Sequence, residues 1–285
     1  MPTITINGAN IRYEELDGDG PPIVLTPGAR IGMDGVRPIA ERLAGNHRVI
    51  IFDRRNCGAS DVVIGGGGSE QDVWVDDLHE LLHRIDAAPA WVGGGSNGCR
   101  VSLMHAIAYP EDVSGLLLWW VTGGEGAARR LGHQYYGQFI LAADEGGMDA
   151  VVATPYFAER IQENPGNRDR LLAMAPSDFI SVMSRWRSYF RVDSRVLGVS
   201  EEDIRNIQAP VVIVSGDDET HLKIAADALH ELLPDSTLHS PAVSGDESTR
   251  MMQGLAPEMR DILANRLVAI FAPFIERQRG SATTR

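Results

Sequence analysis

Ser96 is the residue on which chemistry concentrates most readily. It stands in Gly94-Gly95-Ser96-Asn97-Gly98, a G-x-S-x-G spacing between the strand-like AWVGG and the helix-forming NGCRVSLMHAIAY. In that context small flanking residues let the chain turn sharply, and a serine hydroxyl is left exposed at a strand tip, where it can attack a carbonyl carbon. The N–H of Asn97 opens the following helix and can face a developing oxyanion. A second donor is expected from Thr26-Pro27-Gly28-Ala29-Arg30, at the end of an earlier strand, and Ala29 is the natural choice. The plainer alternatives are a glycine-rich turn with a capping serine, and an ordinary Pro-Gly turn. Arg30 reads either as a ligand for a substrate carboxylate or as a surface residue. A hydroxyl is a poor nucleophile without a base in reach, so the rest of the chain must supply one.

Positioning such a serine requires a sheet. Short strand-like segments recur at Thr3–Ile6, Ile11–Glu14, Pro22–Thr26, Arg48–Phe52, Trp91–Gly94, Val113–Val121, Pro210–Ser215 and, more weakly, near Ser236–Val243. Helical patterns alternate with them, from Val36–Leu43 to a final one near Pro257–Ile275. Several strand runs are apolar on both faces, which fits a parallel sheet covered by helices. Asn7-Gly8 is a hairpin signal between the first two strands. Ser69 with Asp72 starts a helix whose Trp74, Leu78, Leu81, Leu82 and Ile85 share one face. Between about Glu125 and Gln208 strand runs disappear and helical, aromatic-rich segments take over. The expected organisation is therefore a core over 1–124 and 209–275, a helical cap over 125–208, and a polar tail over 276–285. Ligands of such sheets bind beyond the carboxyl ends of the strands, so the cap is expected to roof the site. Arg30, Trp120, Tyr135 and Tyr136 are the expected pocket residues.

The sequence resembles the α/β-hydrolase-fold family with a helical cap. The resemblance spans nearly the whole chain and rests on PIVLTPGA, FDRRNCGASD, VGGGSNGCR and PVVIVSGDDETH. It implies a mostly parallel sheet of about eight strands with helices on both faces and a cap inserted after strand six. It also implies a serine nucleophile, Ser96, with Ala29 and Asn97 as oxyanion donors. An acid after strand seven would be Asp218 or Glu219, with Asp218 preferred; Glu125, after strand six, is a second place where members of the family carry it. The acidic trio Asp217, Asp218 and Glu219 also fits a helix N-cap.

The histidine departs from the family. The Gly-His usual after strand eight is replaced by Gly245-Asp246-Glu247, and no histidine follows His239. Substitutes are His221, three residues after Asp218 at the tip of strand seven, then His239, and then His133 in the cap. Each also has a bland explanation as a helix, strand or surface residue. The stretch from Asp53 to Cys57 reads as structural, supporting the loop beside the oxyanion turn, with Asn56 in place of the usual glycine. Cys57 and Cys99 read as packed thiols.

Two function classes stay open. One is a hydrolase acting through Ser96, with Asp218 and His221, on a small ester, lactone, amide or C–C substrate. The other keeps the fold with a broken triad: a lyase, cyclase or decarboxylase using Asp246, Glu247 or Glu125, or a ligand-binding protein. The chain has 285 residues and a formal charge of −13, which disfavours nucleic-acid binding. Two cysteines build neither a disulfide framework nor a cysteine-based zinc site. His79 and His83 stand at i,i+4, a metal-compatible spacing, but no third ligand is evident and an exposed helix face explains them. No cofactor or metal is expected, and the partner expected is a small-molecule substrate. With no signal peptide or apolar span visible, a cytoplasmic location is expected.

Overall fold

The computed structural model describes residues 2–282. Strands β1 (Thr3–Ile6) and β2 (Ala9–Leu16) form a hairpin around Asn7 and Gly8, both at positive φ. The chain then alternates through β3 (Ile23–Thr26), α1 (Arg37–Leu43), β4 (Val49–Phe52), α2 (Glu70–Arg84), β5 (Ala90–Gly95), α3 (Asn97–Ala108) and β6 (Val113–Trp119). Six helices follow without a strand: α4 (Gly124–Gly132), α5 (Gln138–Ala153), α6 (Pro155–Glu163), α7 (Gly166–Leu172), α8 (Pro176–Ser188) and α9 (Glu201–Arg205). The sheet resumes with β7 (Val211–Val214), α10 (Lys223–Leu232) and β8 (Ser236–His239), and the chain closes with α11 (Gly245–Met252) and α12 (Met259–Ala282).

The strands form one eight-stranded sheet in the order β1-β2-β4-β3-β5-β6-β7-β8, parallel from β4 to β8 with β1 and β2 antiparallel at one edge. This is the mostly parallel α/β architecture expected from the alternating pattern. Its two faces follow from strand alternation. Val24, Ile50, Val92, Leu116, Leu118 and Ile213 point to one side, where Trp74 and Leu78 of α2, Val101 of α3 and Leu229 of α10 cover them. Leu25, Ile51, Leu117, Val212 and Val214 point to the other, under Ile39 of α1 and Leu267 and Phe271 of α12. The inserted helices hold a core of their own, built on Tyr136, Phe139, Phe157, Phe179 and Trp186.

Four local features differ from the sequence expectation. Strand β6 stops at Trp119 because Trp120 adopts a φ of 57°, which an extended strand cannot contain. Helix α10 begins at Lys223, so His221 lies in the loop before it. Helix α11 falls where the sequence pattern predicts no helix; a reciprocal cap between Ser244 and Glu247 starts it. The polar segment after Ile275 continues helix α12 to Ala282 instead of forming a tail. No helix among the described residues is long and apolar enough to cross a membrane.

Candidate active site

The turn from β5 into α3 is set by glycine packing. A Cβ on Gly94 would lie 2.4 Å from the Gly98 carbonyl carbon, and one on Gly98 would lie 2.1 Å from the Thr26 carbonyl oxygen. Both flanking positions of the G-x-S-x-G run therefore need a missing side chain. Ser96 itself takes φ 55° and ψ −114°, a strained conformation for an L-residue. Its N–H donates to the Trp119 carbonyl of β6 at 3.1 Å, which fixes the turn at the carboxyl end of the sheet.

Ser96 Oγ lies 2.9 Å from His221 Nε2, and His221 Nδ1 lies 2.8 Å from Asp218 Oδ2. The carboxylate is held by its own loop: the N–H groups of Thr220 and His221 donate to Oδ1 at 2.8 and 2.9 Å. The Ser248 hydroxyl of α11 donates to Oδ2 at 2.9 Å. Burial alone would raise the Asp218 carboxyl, but hydrogen bonding to His221, its charge and the two backbone donors hold it well below the usual carboxylate range. Trp120, turned out of β6 by its positive φ, stacks on the His221 ring with centroids 5.2 Å apart. The imidazole is thus fixed on one side by Asp218 and on its face by an indole.

The loop after β3 lies opposite. Ala29 has φ 40°. Arg54 Nη2 donates to the carbonyls of Gly28 and Ala29 at 3.1 and 2.9 Å, while its guanidinium lies over Trp74 at 4.5 Å. A trans peptide sets its N–H opposite its C=O, so anchoring the Gly28 carbonyl also orients the Ala29 N–H. The Asn97 side chain donates to the Ala29 carbonyl at 2.9 Å. Among the described residues, no backbone or side-chain acceptor takes the N–H of Ala29 or of Asn97. Asp53 stabilises the same loop by accepting from Met33 N and, across the fold, from Arg12 and Ala59.

These groups open into a cavity of about 770 Å³ between sheet and cap, lined among others by Ala29, Ser96, Trp120, Tyr135, Phe139, Tyr156, Met251 and His221. The lining exposes more apolar than polar surface, although charged side chains such as Arg12, Asp34, Glu159, Glu163 and Arg260 also border it. Arg30 borders the cavity but is neither a surface residue nor a free cation. It is buried, pairs with Glu70 at 2.7 Å and donates to the Tyr135 carbonyl at 2.7 Å. Tyr136 does not line the cavity; it packs behind, with its hydroxyl donating to Glu70 at 3.0 Å.

The alternative acids and bases lie elsewhere. Glu125 is exposed and paired with Arg129 on α4, and Glu219 is exposed and paired with Arg130. Asp246 is exposed in the first turn of α11. His239 sits on β8 with Nε2 buried and unpartnered, and burial lowers its pKa. His133 occupies a π-turn between α4 and α5 with its side chain exposed. None of these is hydrogen-bonded to Ser96. Two neighbours of the site escaped the sequence reading: Ser248 and Glu70. Arg54 had a signal, because it lies in FDRRNCGASD, a stretch expected to support this loop. Ser248 had none. The structure also brings a third group, Asp112, to His79 and His83, where the sequence offered no such ligand.

Comparison with known proteins agrees with this architecture. Residues 21–119 match the profile of the alpha/beta hydrolase fold family. YraK of Bacillus subtilis (strain 168), an uncharacterized hydrolase, is 35% identical over 111 residues, which cover 39% of this chain and 41% of YraK. The chain thus spans about two fifths of that relative's length in the match. RutD of Azorhizobium caulinodans, whose name proposes a carbamate hydrolase, is 26% identical over 87% of this chain and 95% of its own. Among solved structures, a meta-cleavage product hydrolase from Pseudomonas fluorescens IP01 superposes with a TM-score of 0.62 at 18% identity, covering 95% of this chain and 98% of that one. An enol-lactonase from Burkholderia xenovorans LB400 gives 0.59 at 16% identity, with 92% and 99% covered. At such identities the structural likeness carries the fold alone.

Proposed function

We propose, starting from its membership of the α/β-hydrolase fold, that this chain is a hydrolase in which Ser96, His221 and Asp218 act on a small, largely apolar carbonyl substrate. The observation that carries this reading is the unbroken hydrogen-bonded line from Ser96 Oγ through His221 to Asp218, facing the cavity. The names of YraK and RutD support the hydrolytic class.

The reaction follows from the geometry. Ser96 Oγ attacks the carbonyl carbon while its proton passes to His221 Nε2. Asp218 holds Nδ1–H and offsets the charge that forms on the ring. The oxygen that gains charge is received by the N–H groups of Ala29 and Asn97, donors of a kind worth about 10²–10³ in turnover each. His221 then gives the proton to the leaving group as its bond to the acyl carbon breaks. Water attacks the acyl-serine with His221 as base, and Ser96 regains its proton. The apolar walls under the cap exclude bulk water and favour substrates with one polar reacting group.

The test is covalent labelling with a fluorophosphonate probe alongside turnover of short-chain p-nitrophenyl esters. We expect one adduct per chain, mapped to Ser96 by mass spectrometry, with adduct and turnover both absent in Ser96→Ala. Stoichiometric labelling at another residue, or ester turnover retained in Ser96→Ala, would overturn the assignment.

A further inference from the structure

We propose that His79, His83 and Asp112 form a binding site for a divalent transition metal of the Zn2+ type, at the end of the sheet remote from Ser96. His79 and His83 stand one turn apart on α2. Asp112 ends the short 3₁₀ turn that leads into β6. His79 Nδ1 lies 2.7 Å from one carboxylate oxygen and His83 Nε2 lies 2.8 Å from the other. All three donor atoms fall within 4.8 Å of one another.

Two imidazoles and a carboxylate are a borderline-soft nitrogen and oxygen set, which suits zinc and its neighbours rather than magnesium or calcium. Ligands of a tetrahedral zinc at about 2.0–2.1 Å stand roughly 3.3 Å apart. The nitrogen–oxygen pairs here need to open by about half an ångström to admit the ion. Each imidazole must also carry its proton on the other ring nitrogen.

The charge around Asp112 points the same way. Its side chain is 1% exposed, and among the described residues its ion-pair partners are histidines only, with no lysine or arginine. A buried carboxylate with no permanent cation beside it is costly, and a divalent ion would neutralise it. Behind it lies His105, fully buried, with an unpartnered Nε2 at 3.6 Å from Asp112 Oδ2. A small turn of the carboxylate toward a metal would let His105 act as the outer partner that orients such a ligand. The first ring is held as well: His79 stacks on Tyr109 with centroids 3.9 Å apart, and the Tyr109 hydroxyl donates to Asp76. His83 is about half exposed, which leaves a path from solvent and room for a water as fourth ligand.

The site lies away from the proposed chemistry. Asp112 precedes the first residue of β6, whose last residue, Trp119, accepts the Ser96 N–H. Seven strand residues at about 3.3 Å each put roughly 20 Å between them. The metal would therefore staple α2 to the connection between α3 and β6, and stabilise the fold without touching substrate.

The experiment uses untagged full-length protein stripped with a chelator, and its readouts do not depend on whether the protein hydrolyses anything. Zn2+ titration by calorimetry should give one site per chain, and Co2+ should give visible d–d absorption bands. His83→Ala, an exposed helix position where alanine preserves the fold, should weaken binding by about 100-fold or more. Zn2+ in excess should raise the melting temperature of the wild type by roughly 5 °C or more and leave that of His83→Ala unmoved. Zn2+ affinity equal in the two proteins, or no saturable one-to-one binding to the wild type, overturns the proposal.

Discussion

Asp218 accepts hydrogen bonds from Thr220 N, His221 N, His221 Nδ1 and Ser248 Oγ, and this saturation holds the proposed acid and base together in one short loop. The family resemblance implied a histidine after strand eight. Here helix α11 fills that region, and its contribution to the site is the hydroxyl of Ser248. Ser248→Ala removes one donor from a carboxylate that keeps three. We expect turnover of the p-nitrophenyl test esters to fall by about three- to tenfold with KM unchanged, from the ~1 kcal/mol that such a bond contributes. His239→Ala and Asp246→Asn, by contrast, should leave turnover within twofold of wild type. The depressed Asp218 carboxyl also has a pH signature. Its stabilising contribution is fully present above the unfolded carboxylate value of about 3.9 and fades as pH falls from there toward the lower folded value. The stability gap between wild type and Asp218→Asn, read by urea denaturation, should be constant above about pH 5 and narrow below pH 4. At this scale the serine was legible because its signature is contiguous. His221 was legible as a candidate because it follows Asp218 by three residues. Ser248 was not, because nothing in the chain between them, a sequence separation of 30, tells that its hydroxyl returns to Asp218.

At the scale of elements the site is a meeting of three strand ends. The β5 turn, the loop after β3 and the loop after β7 come together because β3, β5, β6 and β7 are consecutive in the sheet. Gly98 sets how closely the first two approach. Gly98→Ala would drive a Cβ to 2.1 Å from the Thr26 carbonyl oxygen, a backbone atom that cannot turn aside. Overpacking of this kind costs typically 1–3 kcal/mol. Chemical denaturation should register that loss, and labelling of Ser96 should slow as the elbow moves. Arg54 acts on the other side by fixing two carbonyls of the loop after β3. Arg54→Ala should lower kcat more than it raises KM, since the role proposed for the Ala29 N–H is felt when the oxyanion forms. The strand rhythm and the glycines were readable because each obeys a local rule. The start of α10 was not: Asp218 draws His221 into a tight turn, and the helix waits until Lys223. Helix α11 hid for a related reason, being a single short capped segment without a long apolar period.

Across the whole molecule, cap and core are joined through a buried polar knot. Glu70 at the start of α2 pairs with Arg30, accepts from Asn56 at 2.7 Å and from the Tyr136 hydroxyl of the cap, while Arg30 reaches the Tyr135 carbonyl. Removing one charge from such a pair strands the other in a low dielectric. Glu70→Gln should destabilise the fold by about 3–5 kcal/mol, measured by denaturation, although neither residue touches the proposed nucleophile. The two cysteines take no part in this chemistry: burial pushes the Cys99 thiol up to about 12 and raises Cys57 as well. Both should resist iodoacetamide at pH 8 in the native state and react once the chain is unfolded. The sheet and the inserted helices were legible because alternating strand and helix patterns admit few arrangements. How the cap packs was not. Tyr135 and Tyr136 are adjacent in sequence, yet one faces the cavity and the other faces Glu70, a choice made by long-range packing.

The claim on which all of this turns is that His221, not a histidine after strand eight, activates Ser96. The direct measurement is the second-order rate of Ser96 phosphonylation in His221→Ala against wild type, with circular dichroism to verify the fold. We expect a fall of about 10³-fold or more. A rate within tenfold of wild type would contradict the account.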